Sequence, residues 1–198
     1  MFRSVRRSAT KVRDGQVQRK NRWARTPHYF THDTPTLQID RQRPGPGFRH
    51  LVFQEDLRRF LPLLPEWDFL QTGLRAIVLA AGGRLMGWHN NGVVAICAWE
   101  RSFVLEDSTL PFIQDHQEIF DKLGVPYRLK EGSTIEFTEE TARAFQLVHV
   151  LVHELGHHLD RMTTQSRNYP ARGERFAENY ARRWEDQILD RYRREFRL

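Results

Sequence analysis

The chain has 198 residues, 39 % hydrophobic and 12 % aromatic, and a formal net charge of +6. These values suit one globular domain with a real core and exclude a wholly disordered chain. No apolar run approaches membrane-spanning length and the N-terminus has no apolar signal region. Cys97 is the only cysteine, so no intrachain disulfide can form and a cytoplasmic protein is expected.

Residues 1–26 form a basic arm. Arg3, Arg6, Arg7, Lys11, Arg13, Arg19, Lys20, Arg22 and Arg25 face only Asp14, nine cations against one acid, or +8. The rest of the chain therefore carries −2, the difference between +6 and +8. The high isoelectric point belongs to the arm. Such an arm suits contact with nucleic acid or another anionic surface, its Arg-rich, acid-poor composition resembles a transit peptide, and it also suits a solvated tail, the reading favoured here. Residues 27–47 hold Pro27, Pro35, Pro44, Pro46, Gly45 and Gly47 and read as an extended linker. His28 and His32 lie there without a carboxylate or cysteine cluster.

The folded domain is expected over residues 48–198. Residues 54–64 read as a short amphipathic helix with Leu57, Phe60, Leu61 and Leu64 inward, bent or ended by Pro62. A second short helix is expected within residues 65–72. Residues 76–80 are a compact apolar run between glycines, which suits a central strand. Asn91-Gly92, between residues 85–90 and 93–99, is a two-residue hairpin signal. Cys97, in Val-Ala-Ile-Cys-Ala-Trp, reads as core packing in a buried strand and not as a nucleophile. Residues 111–123 suit a helix ending at Gly124 and Pro126, and residues 127–137 a strand or loop.

The chemistry is concentrated in the next segment, His153-Glu154-Leu155-Gly156-His157. Thr138 suits an N-cap, Glu139 and Glu140 suit the positive end of a helix, and no Pro or Gly interrupts residues 139–155. On such a helix His153 and His157 sit one turn apart on one face, so both imidazoles can reach one metal ion. Glu154 projects toward the same cleft, where it can act on a water held by the metal. A bare pattern of this length can arise by chance, and residues downstream decide the matter. After the polar stretch 163–173, Glu174 and Glu178 are spaced i,i+4 on a second helical segment. The first could complete a His, His, Glu ligand set; the second could hydrogen-bond a ligand histidine from behind and fix its tautomer. Residues 177–196 read as a long helix with Ala181, Trp184, Ile188, Tyr192 and Phe196 inward.

His149 precedes His153 by one further turn. It is two turns from His157, too far for a shared ion, and is read as hydrogen-bonding in the core. His158 points about 100° away from His157 and is read as a packing or surface residue. Asp160 suits either a role behind the ligands or a salt bridge with an arginine.

With HELGHHLD followed by ERFAENYA, the chain resembles the gluzincin branch of the zincin metallopeptidases. It is similar in particular to the catalytic domain of anthrax lethal factor and to compact HExxH peptidases of bacterial genomes. The resemblance covers residues 138–181. It implies zinc held by His153, His157 and Glu174, with Glu154 as general base and Glu178 as the partner behind a ligand. The family's oxyanion-stabilising tyrosine has no fixed-spacing counterpart here; Tyr169, five residues before Glu174, lies nearest the expected place. The whole reading is an α+β, zincin-like domain, a small mixed sheet packed on the HExxH helix and a C-terminal helix. It would hydrolyse peptide bonds of a peptide or protein substrate, with one arm of the Asn91-Gly92 hairpin as candidate substrate strand. The rival is a zinc-binding scaffold that holds a peptide or nucleic acid and cleaves little. An intact Glu154 favours the enzyme.

Overall fold

The structure, a computed structural model, describes residues 12–13, 16–17, 27–105, 110–129, 133–164 and 171–197. Most of the basic arm lies outside the described residues. Within it, strands β1 (Val12–Arg13) and β2 (Gln16–Val17) pair antiparallel.

The expected linker contains a strand of the main sheet. Strand β3 (Gln38–Arg41) pairs in parallel with β5. The prolines and glycines of residues 27–47 flank this strand without entering it, and Leu37-Gln38-Ile39-Asp40 alternates apolar with polar as a half-buried strand does. Leu37 and Ile39 pack on the core, and buried Tyr29 donates its hydroxyl to Asp40 Oδ2 at 2.5 Å. The packed domain therefore begins well before residue 48. After β4 (Phe48–Arg49) come helix α1 (Gln54–Phe60), a 3-10 turn Leu61–Leu63 and helix α2 (Trp67–Leu70). Leu57, Phe60, Leu61 and Leu64 are buried as expected, and the α-helix stops just before Pro62.

Strand β5 (Ala76–Ala80) is fully buried at the sheet centre, followed by β6 (Gly87–Asn90) and β7 (Val93–Cys97). The order is β3-β5-β7-β6; β3, β5 and β7 run parallel, and β6 is antiparallel at the edge. Asn91 (φ 45°) and Gly92 (φ 81°) turn the β6–β7 hairpin with both residues left-handed, as a type I′ turn requires. Pleating sorts the central strands. Ile77, Leu79, Val94 and Ile96 join the core shared with the helices, while Ala76, Val78, Ala95 and Cys97 face Tyr29 and Trp88. Strand β8 (Trp99–Glu100) pairs with β4, and β9 (Val104–Leu105) with β10 (Ile135–Glu136).

Helix α3 (Leu110–Leu123) buries Ile113, Ile119, Phe120 and Leu123. Helix α4 (Glu139–Phe145) is capped reciprocally: Thr138 Oγ1 accepts from Thr141 N–H at 3.1 Å, and Thr141 Oγ1 accepts from Thr138 N–H at 2.8 Å. It runs through a π-helical segment, Gln146–Val150, into α5 (Leu151–Thr163). Helix α6 (Glu174–Phe196) lies antiparallel on α5, since His153 faces Glu178 while Asp160 meets the backbone of Gly173. Ala181, Ile188 and Tyr192 are buried; Trp184 and Phe196 sit half-buried at the margin. The architecture is a mixture of helices and small sheets, compatible with the α+β class. No helix among the described residues is long and apolar enough to cross a membrane.

Candidate metal centre

Helix α5 packs its apolar face inward, and its histidine face meets the start of α6. His153 Nε2 lies 3.1 Å from Glu174 Oε2, and His157 Nε2 lies 3.4 Å from the same oxygen. The three ligand atoms all lie within 4.8 Å of one another. Tetrahedral ligands about 2.0–2.1 Å from zinc stand roughly 3.3 Å apart, so this donor set fits the ion in number, type and spacing. Glu174 is the first residue of α6, and its side chain is 84 % exposed. Its position is set from below. Buried Asp160 accepts backbone N–H bonds from Arg172 (2.6 Å) and Gly173 (3.1 Å) and pairs with Arg172 Nε at 2.8 Å. Asp160 thus anchors the start of α6, the salt-bridging role among the two expected. Gly173, at φ 72°, makes the turn that leads into the helix.

Two helices in backbone contact set the remaining distances. A Cβ on Gly156 would lie 2.8 Å from Ala177 Cα, so α5 and α6 touch there without an intervening side chain. One turn from this crossing, Glu178 Oε2 lies 3.2 Å from His153 Nδ1. A carboxylate only accepts, so Glu178 favours a proton on Nδ1; with the proton there, the Nε2 lone pair that faces Glu174 is left for a metal. Burial alone would raise the Glu178 carboxyl. The hydrogen bond from His153 and the charges of His149, His116 and Arg182 outweigh it and bring it down to about 2. His157 Nδ1 is buried with no hydrogen-bond partner among the described residues.

Glu154 lies on the sheet side of α5 and is buried. Burial pushes its carboxyl up to about 7, opposed by the charge of His153 and reinforced by that of Glu174. Its neighbour is the edge strand: a Cβ on Gly87 would come within 2.8 Å of Glu154 Cγ and Oε1. Two residues along β6, the His89 ring stacks on His157 at 6.5 Å and meets His158 edge-on at 5.8 Å. Helix α5 and the edge strand therefore pack against each other at Glu154 and His157.

No protein-family model, no curated protein and no solved structure matches this chain.

The structure brings His153, Glu154, His157, Glu174 and Glu178 to one place. Tyr169 lies outside the described residues. His149 hydrogen-bonds in the core, through Nδ1 to Glu185 Oε1 at 2.8 Å, and His158 is fully buried against Thr72 O at 3.1 Å. Cys97 is buried, and burial pushes its thiol up to about 11, as suits packing and not nucleophilic chemistry. Sequence reasoning missed Gly87, His116 and Glu185. Glu185 carried a weak signal: it follows Glu178 by seven residues, two helical turns, and so lies on the same face of α6. Gly87 and His116 carried none, because their approach to the site depends on how β6 and α3 pack.

Proposed function

We propose that this chain is a zinc-dependent peptidase with a zincin-like domain that hydrolyses peptide bonds in extended segments. The observation that carries this reading is the convergence of His153, His157 and Glu174 beside Glu154, a carboxyl that burial holds near neutrality. Three protein ligands leave one coordination position free, the pattern of hydrolytic and not structural zinc. Zinc bound there would supply Lewis acidity toward the scissile carbonyl and the attacking water. The other tasks fall to the chain. Glu154 takes a proton from the attacking water and returns it to the leaving amine, and a pKa near 7 suits both transfers. Glu178 keeps the His153 proton on Nδ1 and the ring fixed. Among the described residues strand β6 has a strand partner on one side only, so its outer edge can pair with an extended peptide beside Glu154. An antiparallel edge strand beside the paired-histidine helix also supports the zincin-like reading of the fold.

Cleavage of a diverse peptide library by the full chain, before and after chelation, tests the proposal. The expected result is cleavage that stops on chelation, returns with zinc, and is lost when His157 is replaced by Gln. Cleavage that persists in the fully metal-free protein overturns it.

A further inference from the structure

Beside the proposed centre lies a second group of metal-ligating side chains, two of which, His116 and His149, the proposed reaction does not use. His116 on α3, His149 in the π-helical segment and Glu178 on α6 each offer one ligand atom, and these atoms lie within 4.8 Å of one another. Two of the three, His116 and Glu178, line a cavity of about 450 Å³ together with Asp115, His153 and Glu174, which gives an ion a way in.

We propose that His116, His149 and Glu178 form a second divalent-cation site, distinct from the His153–His157–Glu174 centre and bridged to it by Glu178. The tautomers point this way. His149 Nδ1 lies 2.8 Å from Glu185 Oε1, and His116 Nδ1 lies 2.8 Å from Phe112 O. Both partners are acceptors, so both protons sit on Nδ1 and both Nε2 lone pairs are left for a metal. His149 is thus backed by Glu185 as His153 is backed by Glu178, the carboxylate–histidine arrangement that orients metal ligands. The pairs lie two helical turns apart along α6. Lys122 holds the other Glu185 oxygen at 3.3 Å, which fixes that carboxylate in its buried position.

The spacing agrees. His149 Nε2 lies 3.6 Å from Glu178 Oε2, too long for a hydrogen bond and close to the roughly 3.3 Å between two ligands on one zinc ion. Arg182 Nε donates to Glu178 Oε1 at 2.8 Å and leaves Oε2 to face the histidines. That oxygen has two lone pairs. One accepts from His153 Nδ1, and the other is free for a cation. Two imidazoles and one carboxylate select a borderline ion such as Zn²⁺ or Co²⁺ over Mg²⁺ or Ca²⁺.

The test is metal stoichiometry in the full chain, stripped with chelator and titrated with Zn²⁺ by calorimetry. The wild type is expected to bind about two equivalents, and His116→Gln and His157→Gln about one each. Co²⁺ titration of the wild type, read by its d–d absorption, should show two successive sites and needs no variant. One equivalent that survives His116→Gln and disappears in His157→Gln overturns the second site and leaves the proposed peptidase centre standing. One equivalent that disappears in His116→Gln and survives in His157→Gln supports the second site and removes the peptidase centre. A single Co²⁺ step in the wild type, insensitive to His116→Gln, also overturns the second site.

Discussion

Glu178 Oε2 and His153 Nδ1 meet at 3.2 Å across the antiparallel pair α5 and α6, 25 residues apart in the chain. This contact ties the orientation of a metal-ligand candidate to the register of two helices. It also predicts that Glu178→Ala lowers zinc affinity at the His153–His157–Glu174 centre by about 10- to 100-fold while leaving the three ligands of that centre in place. Competition against a chelator of known affinity measures the effect. An unchanged affinity would mean that His153 is held by something other than Glu178.

Glu154→Gln separates an enzyme from a scaffold. The substitution keeps size and hydrogen bonding and removes the base. Hydrolysis should fall by about 10²- to 10⁴-fold, with zinc and peptide binding retained. Equal hydrolysis by both proteins would remove Glu154 from the base role. No hydrolysis by either, with tight peptide binding by both, would favour the scaffold.

Gly87 sits against Glu154, and a methyl group has no room there: its carbon would lie 2.8 Å from Glu154 Cγ and Oε1 and 2.9 Å from Ala95 O. Gly87→Ala should displace the carboxyl, cost about 1–3 kcal/mol of stability and depress hydrolysis. Zinc content should not change, since neither residue 87 nor Glu154 beside it is a proposed ligand. Thermal melting, metal analysis and a peptide assay on one preparation check all three outcomes.

The buried Glu154 carboxyl also gives the metal-free protein a pH signature. Its folded pKa is raised from 4.5 to about 7, so between those values the folded state holds more protons than the unfolded one. Stability from this group is fully present below about pH 4.5 and is lost as pH rises toward 7. The upper size is on the order of 3 kcal/mol. Urea melts of chelated wild type and Glu154→Gln across pH 4.5–7 should differ in slope, with the wild type falling more steeply. Parallel curves would contradict the burial of this carboxyl.

The corrected domain boundary gives two truncations opposite outcomes. Deleting residues 1–26 spares Tyr29 and strand β3 and should leave a folded protein with peptide hydrolysis intact. Deleting residues 1–47 removes β3 from its parallel pairing with β5 and uncovers Ile77 and Leu79, so this chain should fail to fold. Circular dichroism and the peptide assay distinguish the two. A folded chain after the longer deletion would restore the linker reading.

Elements with a local signature were legible in the sequence. Thr138 caps its helix, Asn91-Gly92 turns its hairpin, residues 54–60 bury Leu57 and Phe60, and residues 177–196 bury Ala181, Ile188 and Tyr192 of the stripe their periodicity assigned. Strand β3 was obscured because four prolines nearby outweighed a four-residue alternation, and its pairing with β5 is a long-range fact. The π-helical segment has no helix-breaking residue to announce it. It depends on tertiary contacts such as the 2.8 Å bond from Gln146 Nε2 to Cys97 O. Likewise the ligand positions His153, His157 and Glu174 could be read from spacing, whereas Gly87 beside Glu154 and His116 beside His149 arise only when distant elements meet.

The crossing of α5 and α6 at Gly156 and Ala177 makes both candidate centres depend on one dimension of the molecule. Both ligand carboxylates, Glu174 and Glu178, come from α6, and the ligand imidazoles other than His116 come from α5 and the π-helical segment that leads into it. A hydrogen atom at position 156, where other residues carry a carbon, sets the gauge between these two rails. A single methyl there would spread both sets of ligands together, so neither centre can be retuned by a change at the crossing without altering the other.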